Sequence, residues 1–186
     1  MAGLMHENVW KDELRLKFPN HFSGVKVLDI GSADINGTNR GWFTNCQYIG
    51  IDVRPYRNVD MVSIAHEYQA EVESFDTILS TSELEHDMYW ERTLKRMVEL
   101  LKPGGLMFFS ASHATGEHGT KKSAPLDSLT SQLENEWSNW YYELTKKDVR
   151  RVLDLDNIFE KYELFYAHFD KYIRFWGIKR SKDAIK

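Results

Sequence analysis

The first residues that could do chemistry lie in a loop that follows an apolar run of strand length. The run is VKVLDI, from Val25 to Ile30, and the chain continues as GSADINGTN. A dinucleotide-binding loop needs a second glycine so that the backbone can approach a pyrophosphate, and a third so that helix packs closely on strand. Ala33 and Ile35 do not meet these needs. The loop after Gly31 is therefore suited to a ligand without a pyrophosphate.

An acid at the end of the next apolar run helps to define that ligand. Asp52 lies 21 residues after Gly31, where a carboxylate can accept hydrogen bonds from both hydroxyls of a ribose. The polar side chains of Asp29, Asp34 and Asn36 would face a cationic amine, with close backbone contact near Gly31. S-adenosylmethionine has an amine and a ribose but no phosphate, so it is the predicted cofactor. Reduction with NAD is the alternative enzyme function, and the missing glycines disfavour it.

A second group of chemical residues follows the fourth apolar run, in the stretch SELEHD. An imidazole titrates near neutrality, so His86 could take a proton from an attacking hydroxyl or amine. Farther along, His113 and His118 could border the pocket of that reactant, although a surface position is the commoner explanation for either. Glu83 and Glu85 have a structural alternative, because acids at the start of a helix complement its dipole. We predict His86 and His118 as the catalytic candidates.

Length and charge limit the class of protein. A chain of 186 residues fits one domain and can bury about 70% of the surface that its unfolded form exposes. A formal net charge of -4 provides no general attraction for nucleic acid or anionic lipid. No apolar run approaches the ~20 residues of a spanning helix, and the first residues lack the apolar core of a secretion signal. Cys46 is the only cysteine, so neither an internal disulfide nor a thiolate metal cluster can form. We predict that the protein is cytoplasmic and that it has no metal site.

Apolar runs of strand length alternate with polar or helix-period stretches, which predicts parallel strands joined by crossover helices. The five predicted strands are Val25–Ile30, Gln47–Asp52, Val59–Ile64, Phe75–Thr81 and Gly105–Ala111. The clearest helix runs from about Tyr89 to Leu101 and stops at the turn LKPGG. Two apolar-aromatic runs near the end of the chain, FEKYELFYAHFD and KYIRFWGIKR, predict an antiparallel pair at one edge of the sheet.

About thirty residues rich in Ser, Thr, Gly and Asn follow the fifth run and show no convincing strand. So long an insertion is usually functional or mobile. Because it leaves the carboxyl end of a strand, we predict that Ser112 to Tyr142 forms a lid above the bound ligand. Its clustered aromatic residues would either form walls for a flat or sugar reactant or simply bury the segment; they are Trp137, Trp140, Tyr141 and Tyr142. A helix capped by Thr145, with Asp148 in its first turn, follows.

Four landmarks in this order and spacing resemble the large Rossmann-like class I of S-adenosylmethionine-dependent methyltransferases, and in particular its type 11 group. They are VLDIGSADINGT, YIGIDVRPYRNVDMV, FDTILSTSELEHD and ERTLKRMVELLKPGGLMFFSAS, within Val25 to Ser112. Some members continue with a Glu-His-Gly, an aromatic stretch and a helix. The segments GEHG and NWYYELTKKDV are similar, although a longer insert separates them here.

The resemblance implies an α/β fold: a doubly wound sheet of seven strands in one domain, mostly parallel with an antiparallel last strand. It also implies a cofactor that lies across the loops after the first four strands. Asp29, Gly31, Ser32 and Ala33 would surround the methionine end, Asp52 would hold the ribose, Val53 or Arg54 would pack near the adenine, and Ser80 would line the floor beneath the sulfonium. Members often place an acid for the adenine amino group after the third strand, where this chain has Ile64, Ala65 and His66.

The function implied is methyl transfer from S-adenosylmethionine to a hydroxyl or amine of a small molecule or glycan-type acceptor. An alternative from another class is a degenerate module that keeps the fold and binds the cofactor without turnover. We expect neither nucleic acid nor a membrane as partner. The exposed edge hairpin offers a surface for a homodimer.

Overall fold

A sheet of seven strands organises the chain in the computed structural model, which describes residues 2–181 and the side chains of residues 8–181. Four helices of α type accompany it among these residues. In chain order the elements are α1 (Ala2–Lys17), β1 (Lys26–Ile30), β2 (Gln47–Asp52), β3 (Met61–Val62), β4 (Phe75–Thr81), α2 (Trp90–Leu100), β5 (Leu101–Ser112), α3 (Lys146–Val152), α4 (Leu155–Ile158), β6 (Phe159–Ala167) and β7 (Tyr172–Lys179).

The strand order across the sheet is β3-β2-β1-β4-β5-β7-β6. Strands β1 to β5 pair in parallel, whereas β7 is antiparallel to both β5 and β6. The predicted seven-stranded, doubly wound α/β fold and the antiparallel edge pair are thus confirmed. Strands β2 and β3 lie on one side of β1 within the sheet, and the chain then returns to place β4 on the other side of β1. This reversal creates a crevice at the carboxyl ends of β1 and β4.

Each face of the sheet has its own apolar core. Helix α2 covers one face and buries Leu94 and Met97 completely, in agreement with the apolar stripe predicted for it. Helix α1 covers the other face with Trp10 and Leu14. The sequence analysis did not identify α1, and yet this helix takes the place of a crossover helix on its face. Among residues 2–181, no helix combines the length and the apolarity needed to cross a membrane.

The connections on the β1 side of the sheet differ from the prediction. Short 3-10 turns, Arg40–Trp42 and Ala65–Glu67, stand where crossover helices were expected. The predicted third strand, Val59–Ile64, is reduced to the two residues of β3, which are exposed at the sheet edge. With no helix packed against it, this edge has little apolar surface to bury, and a longer strand there would gain little stability.

The predicted turn LKPGG belongs to the beginning of β5, because that strand starts at Leu101 directly after α2. Its pairing with β4 is interrupted by a register shift between Phe75 and Thr77. Gly104 has a φ of +75°, which glycine adopts without strain. The predicted N-cap of α3 is confirmed, since the Thr145 hydroxyl accepts from the Asp148 N–H at 3.2 Å.

We predict that Leu94→Ala lowers the free energy of unfolding by about 2–5 kcal/mol, because it leaves a cavity between α2 and the sheet. The neighbouring exposed residue offers a matched control. Lys95→Ala should change the free energy of unfolding by less than about 0.5 kcal/mol. Urea denaturation followed by circular dichroism measures both. Equal effects of the two replacements would contradict the packing described for α2.

Candidate functional site

A cleft of about 240 Å³ opens at the carboxyl ends of β1, β2 and β4, where the strand order reverses. Its walls come from helix α1, the loop after β1, the ends of β2 and β4, and the segment after β5. The lining residues include Lys11, Gly31, Ser32, Ala33, Asn36, Asn39, Trp42, Asp52, Thr81, Glu83 and Leu129. Of the predicted cofactor residues, Gly31, Ser32, Ala33 and Asp52 thus meet in one cleft.

Gly31 allows two loops to approach each other at the centre of this cleft. Its φ is +75°, and a Cβ atom added there would lie 2.4 Å from the Cβ of Glu83. Any side chain at position 31 would therefore collide with the loop after β4. Gly50 has a similar role beneath the cleft, because an added Cβ would lie 2.6 Å from the Ser32 Oγ.

Asp29 lies beneath the cleft rather than in its wall. Its carboxylate is fully buried and accepts hydrogen bonds from the Tyr48 hydroxyl and, at 3.3 Å, from the Asn39 Nδ2. Burial raises the pKa of Asp29 to about 6, although these hydrogen bonds oppose the shift. The Asn39 Nδ2 also donates to the Thr81 Oγ1 at 2.9 Å. Asp29 thereby orients Asn39 and Thr81, both of which reach the cleft.

Lys11 places a cation in the cleft wall from helix α1. Its Nζ donates to the Asn39 Oδ1 at 3.0 Å and lies 4.5 Å from the centre of the Trp42 ring. Sequence analysis missed this residue, because it lies outside the four landmark motifs. The only signal was a lysine in an amphipathic N-terminal stretch, which ordinarily marks a solvated face. A buried lysine ammonium at this position can bind a carboxylate.

Asp52 ends β2 and joins the cleft to a smaller cavity beside it. Its Oδ2 accepts from the Ala33 N–H at 3.1 Å, and its Oδ1 accepts from the Val53 N–H at 2.8 Å. Burial raises the pKa of Asp52 to about 6, against the effect of these two backbone hydrogen bonds. The smaller cavity, of about 10 Å³, is lined by Val53, Ala65 and Trp137 among others.

Several carboxylates gather around the junction of the two cavities. Burial, together with repulsion from Asp52, Asp87 and Glu85, raises the pKa of Glu83 well above its usual value. Burial also raises the pKa of Asp87, whose carboxylate accepts from the Tyr89 N–H at 2.7 Å. A concentration of partly buried negative charge favours a cationic ligand at this point.

Three other predicted cofactor residues lie outside the lining of the cleft. The Asp34 carboxylate lies 3.9 Å from the Arg57 Nη2, and the Arg54 Nη1 donates to the Gln132 carbonyl at 3.3 Å. Ser80 is fully buried, and its Oγ makes no hydrogen bond within the described part of the chain. Asp34, Arg54 and Ser80 do not line the cleft, so their contact with a cofactor stays a prediction.

The two predicted catalytic histidines lie together, away from the cleft wall. The rings of His86 and His118 meet edge to face with centroids 5.0 Å apart, and Tyr141 lies 5.6 Å from the first and 5.0 Å from the second. Burial lowers the pKa of His86 to about 3, and His118 adds to the shift. His86 is consequently a neutral imidazole at physiological pH. His113 lies elsewhere, stacked on Tyr166 at 4.0 Å.

The predicted lid, Ser112 to Tyr142, consists of turns and short 3-10 helices. Two hydrogen bonds join it to the loop after β4: the Trp137 indole N–H donates to the His86 carbonyl at 2.5 Å, and the Tyr142 N–H donates to the Glu85 carbonyl at 2.8 Å. The segment also supplies Leu129 to the cleft. It therefore borders the cleft and covers the two histidines.

Comparison with known proteins agrees with this architecture. A family model described as a methyltransferase domain matches residues 4–165. No curated protein sequence gives a significant match. Similar solved structures include the phosphoethanolamine N-methyltransferase 2 of Haemonchus contortus, with a TM-score of 0.60 and 17% identity over 91% of this chain and 53% of that chain. This chain thus spans about half the length of the Haemonchus enzyme.

Two further structures match over most of both chains. The 1,6-didemethyltoxoflavin-N1-methyltransferase of Burkholderia thailandensis has a TM-score of 0.60 and 16% identity, over 97% of this chain and 84% of that one. The YcgJ protein of Bacillus subtilis has a TM-score of 0.60 and 14% identity, over 92% of this chain and 98% of that one. At such identities the likeness is one of fold. The family model covers far more than half of the sequence, and the chain therefore belongs to the methyltransferase-domain family, in the Rossmann-like class of S-adenosylmethionine-dependent methyltransferases.

Proposed function

We propose that this chain transfers the methyl group of S-adenosylmethionine to a hydroxyl or amine of a small-molecule or glycan-type acceptor. The observation that carries the proposal is the cleft at the switch point of the sheet, where Lys11, Gly31 and Asp52 meet. The cation suits the carboxylate of the methionine part, the glycine allows close approach of the backbone, and the strand-end carboxylate suits the ribose hydroxyls. When bound, S-adenosylmethionine supplies a methyl group on a positively charged sulfur, which an acceptor oxygen or nitrogen takes by direct displacement.

The residues of the cleft fit the methionine part and the ribose of the cofactor. The Lys11 ammonium would hold its carboxylate, and Asp29 would act on the amino-acid end through Asn39. Asp52 would accept hydrogen bonds from the ribose hydroxyls in addition to the one that each of its oxygens accepts from backbone. The carboxylates around Glu83 would compensate the positive charge of the sulfonium, which accounts for acidic groups held together in a partly buried site.

The adenine end requires a movement of the protein. Val53, Ala65 and Trp137 surround a space of only about 10 Å³, too small for a purine. We therefore propose that Trp137 and the adjoining lid residues move aside when the cofactor enters. Arg54 would then be released from its contact with Gln132 and become able to pack near the adenine. Such a motion would break the hydrogen bonds that Trp137 and Tyr142 donate to the loop after β4.

The acceptor is proposed to bind beneath the lid, near His86, His118 and Tyr141. Both of the named N-methyltransferases described above carry small molecules in their names, which supports a small amine or hydroxyl compound here. The chain's own contribution is to position the acceptor and exclude water, from which several kcal/mol of barrier lowering can come. The alternative, a degenerate module, would bind the cofactor without transfer. A homodimer through the β6–β7 edge stays a prediction.

We predict that Asp52→Asn weakens the binding of S-adenosylhomocysteine, the demethylated product, at least about tenfold at pH 8, or ~1.4 kcal/mol. For the unchanged protein, affinity should fall as the pH drops below about 6, because protons then compete for the Asp52 carboxylate. The replacement should reduce this pH dependence. Isothermal titration calorimetry between pH 5 and 8 measures both effects.

The raised pKa of Asp52 also makes the stability of the cofactor-free protein depend on pH, in the direction opposite to the cofactor affinity. Between the ordinary value of 3.8 and about 6, the folded chain binds more protons than the unfolded chain. Its free energy of unfolding should therefore decrease as the pH rises through this window. A cofactor affinity that is independent of both pH and Asp52 would contradict the assignment of the ribose to this residue.

We predict that replacing both Glu117 and His118 by alanine leaves the affinity for S-adenosylhomocysteine within about twofold, or ~0.4 kcal/mol. Neither side chain lines the cleft. Methyl transfer should fall much further, and release of the demethylated product with a panel of small alcohols, amines and sugars measures it. Gly119 is best left unchanged, because an added Cβ would lie 2.5 Å from the His86 Cε1.

Asp52→Asn is the matched comparison for this double replacement, because it should lower the cofactor affinity, which the double replacement should leave nearly unchanged. Loss of cofactor binding in the double variant, with the fold intact, would assign this part of the lid to the cofactor site. Unchanged transfer and unchanged binding would make the segment a tolerated insertion. Cofactor binding without transfer to any acceptor, in the unchanged protein, would favour the degenerate module.

A further inference from the structure

Three side chains with metal-binding atoms converge beneath the lid. Glu85 and His86 follow β4, and His118 comes from the segment after β5. One donor atom from each lies within 4.8 Å of the other two. Glu85 and His86 are 0% and 2% exposed, respectively. The cluster is separate from the cofactor cleft, because none of the three residues lines it.

The tautomer of His118 suits metal binding. Its Nδ1 lies 2.9 Å from the Gly116 carbonyl oxygen, which can only accept, so Nδ1 carries a proton and the lone pair of the neutral ring is on Nε2. Histidine ligands of metal ions commonly donate their second ring nitrogen to a backbone carbonyl in this manner, which fixes the orientation of the ring. The GEHG stretch thus supplies both a ligand and the group that orients it.

His86 also offers a ring nitrogen to the cluster. Its buried Nδ1 makes no hydrogen bond within the described part of the chain. Gly119, at a φ of +62°, lies against this ring, and any Cβ there would be 3.0 Å from Nδ1 and 2.5 Å from Cε1. A glycine in this position brings the two histidine-bearing segments together without a side chain between them.

We propose that Glu85, His86 and His118 form a binding site for a divalent transition-metal ion of the zinc type. Two imidazoles and one carboxylate suit Zn²⁺ better than Mg²⁺ or Ca²⁺, which prefer oxygen ligands alone. With bonds of about 2.0–2.2 Å, the donors of a tetrahedral site lie about 3.4 Å apart. The donor atoms lie within 4.8 Å of one another, so the separations would shorten by at most about 1.4 Å when the ion binds.

Three protein ligands leave one coordination position open, as in catalytic zinc sites. An acceptor hydroxyl bound there would lose its proton more readily; this role rests on the proposed methyl transfer, whereas the metal site itself does not. Ligation uses the lone pair that a general base needs. His118 would then be a metal ligand in place of the proton acceptor that the sequence predicts.

The test is a zinc titration of the untagged full chain, stripped with a chelator and measured by competition with a chromogenic chelator. We expect one equivalent of Zn²⁺ per chain. Glu85→Gln and His118→Ala should each weaken the affinity by more than the roughly 10–100-fold typical for loss of an outer partner. Co²⁺ should give the visible absorption of a four-coordinate ion in the unchanged chain and lose it in His118→Ala.

His113→Ala is the matched control, because the Nδ1 of His113 lies 3.0 Å from the Leu144 carbonyl oxygen and His113 lies outside the cluster. It should bind zinc like the unchanged chain. Absence of equimolar binding by the unchanged chain would overturn the proposal, and so would full binding by both cluster variants. Calorimetry with S-adenosylhomocysteine on the same samples separates the two proposals. Cofactor binding without zinc binding defeats only the metal site, and zinc binding without cofactor binding defeats only the proposed function.

Discussion

The buried Asp29 carboxylate is the interaction on which the geometry of the site depends. Tyr48 from β2 and Asn39 from the loop after β1 both donate to it, and Asn39 in turn connects to Thr81 at the end of β4 and to Lys11 in α1. Four separate parts of the chain are thereby joined around one acid. Since an unpartnered buried carboxylate is costly, the loop has little freedom to adopt another arrangement. The cleft owes its shape to this network, even though Asp29 itself does not line it.

The buried acidic groups in and around the cleft favour a ligand with positive charge. Burial raises the pKa of Asp29 and Asp52 to about 6, and burial together with repulsion from acidic neighbours raises the pKa of Glu83 well above its usual value. A fold that served only its own stability would replace such groups by neutral ones, as buried like charges are unfavourable. A cofactor with an ammonium and a sulfonium would remove this cost if it bound beside these acids as proposed. Acidic groups that disfavour the empty state thus contribute to affinity in the bound state.

The sequence predicted the part of the fold that follows from local pattern. Alternating apolar runs located β1, β2, β4 and β5, and the cap at Thr145 located α3. The role of Lys11 could not be predicted in this way, because it depends on α1 packing across the sheet from the far end of the chain. Likewise, the polar residues in the loop after β1 suggested a ligand contact for Asp34, but an arginine 23 residues away, Arg57, lies beside that carboxylate. Motif spacing specifies where a side chain starts, and tertiary neighbours decide where its polar end points.

The predicted lid segment contacts both the cleft and the histidine cluster. Trp137 lines the space proposed for the adenine, and its indole N–H donates to the His86 carbonyl. A cofactor that displaces Trp137 must therefore also free the backbone of His86, next to Glu85. On the other side of the cluster, Tyr141 contacts both imidazole rings, and its hydroxyl is hydrogen-bonded to Ser112 at the end of β5. Because the same short segment contacts the cofactor space and the cluster, a ligand bound in one of the two proposed sites would alter the contacts of the other.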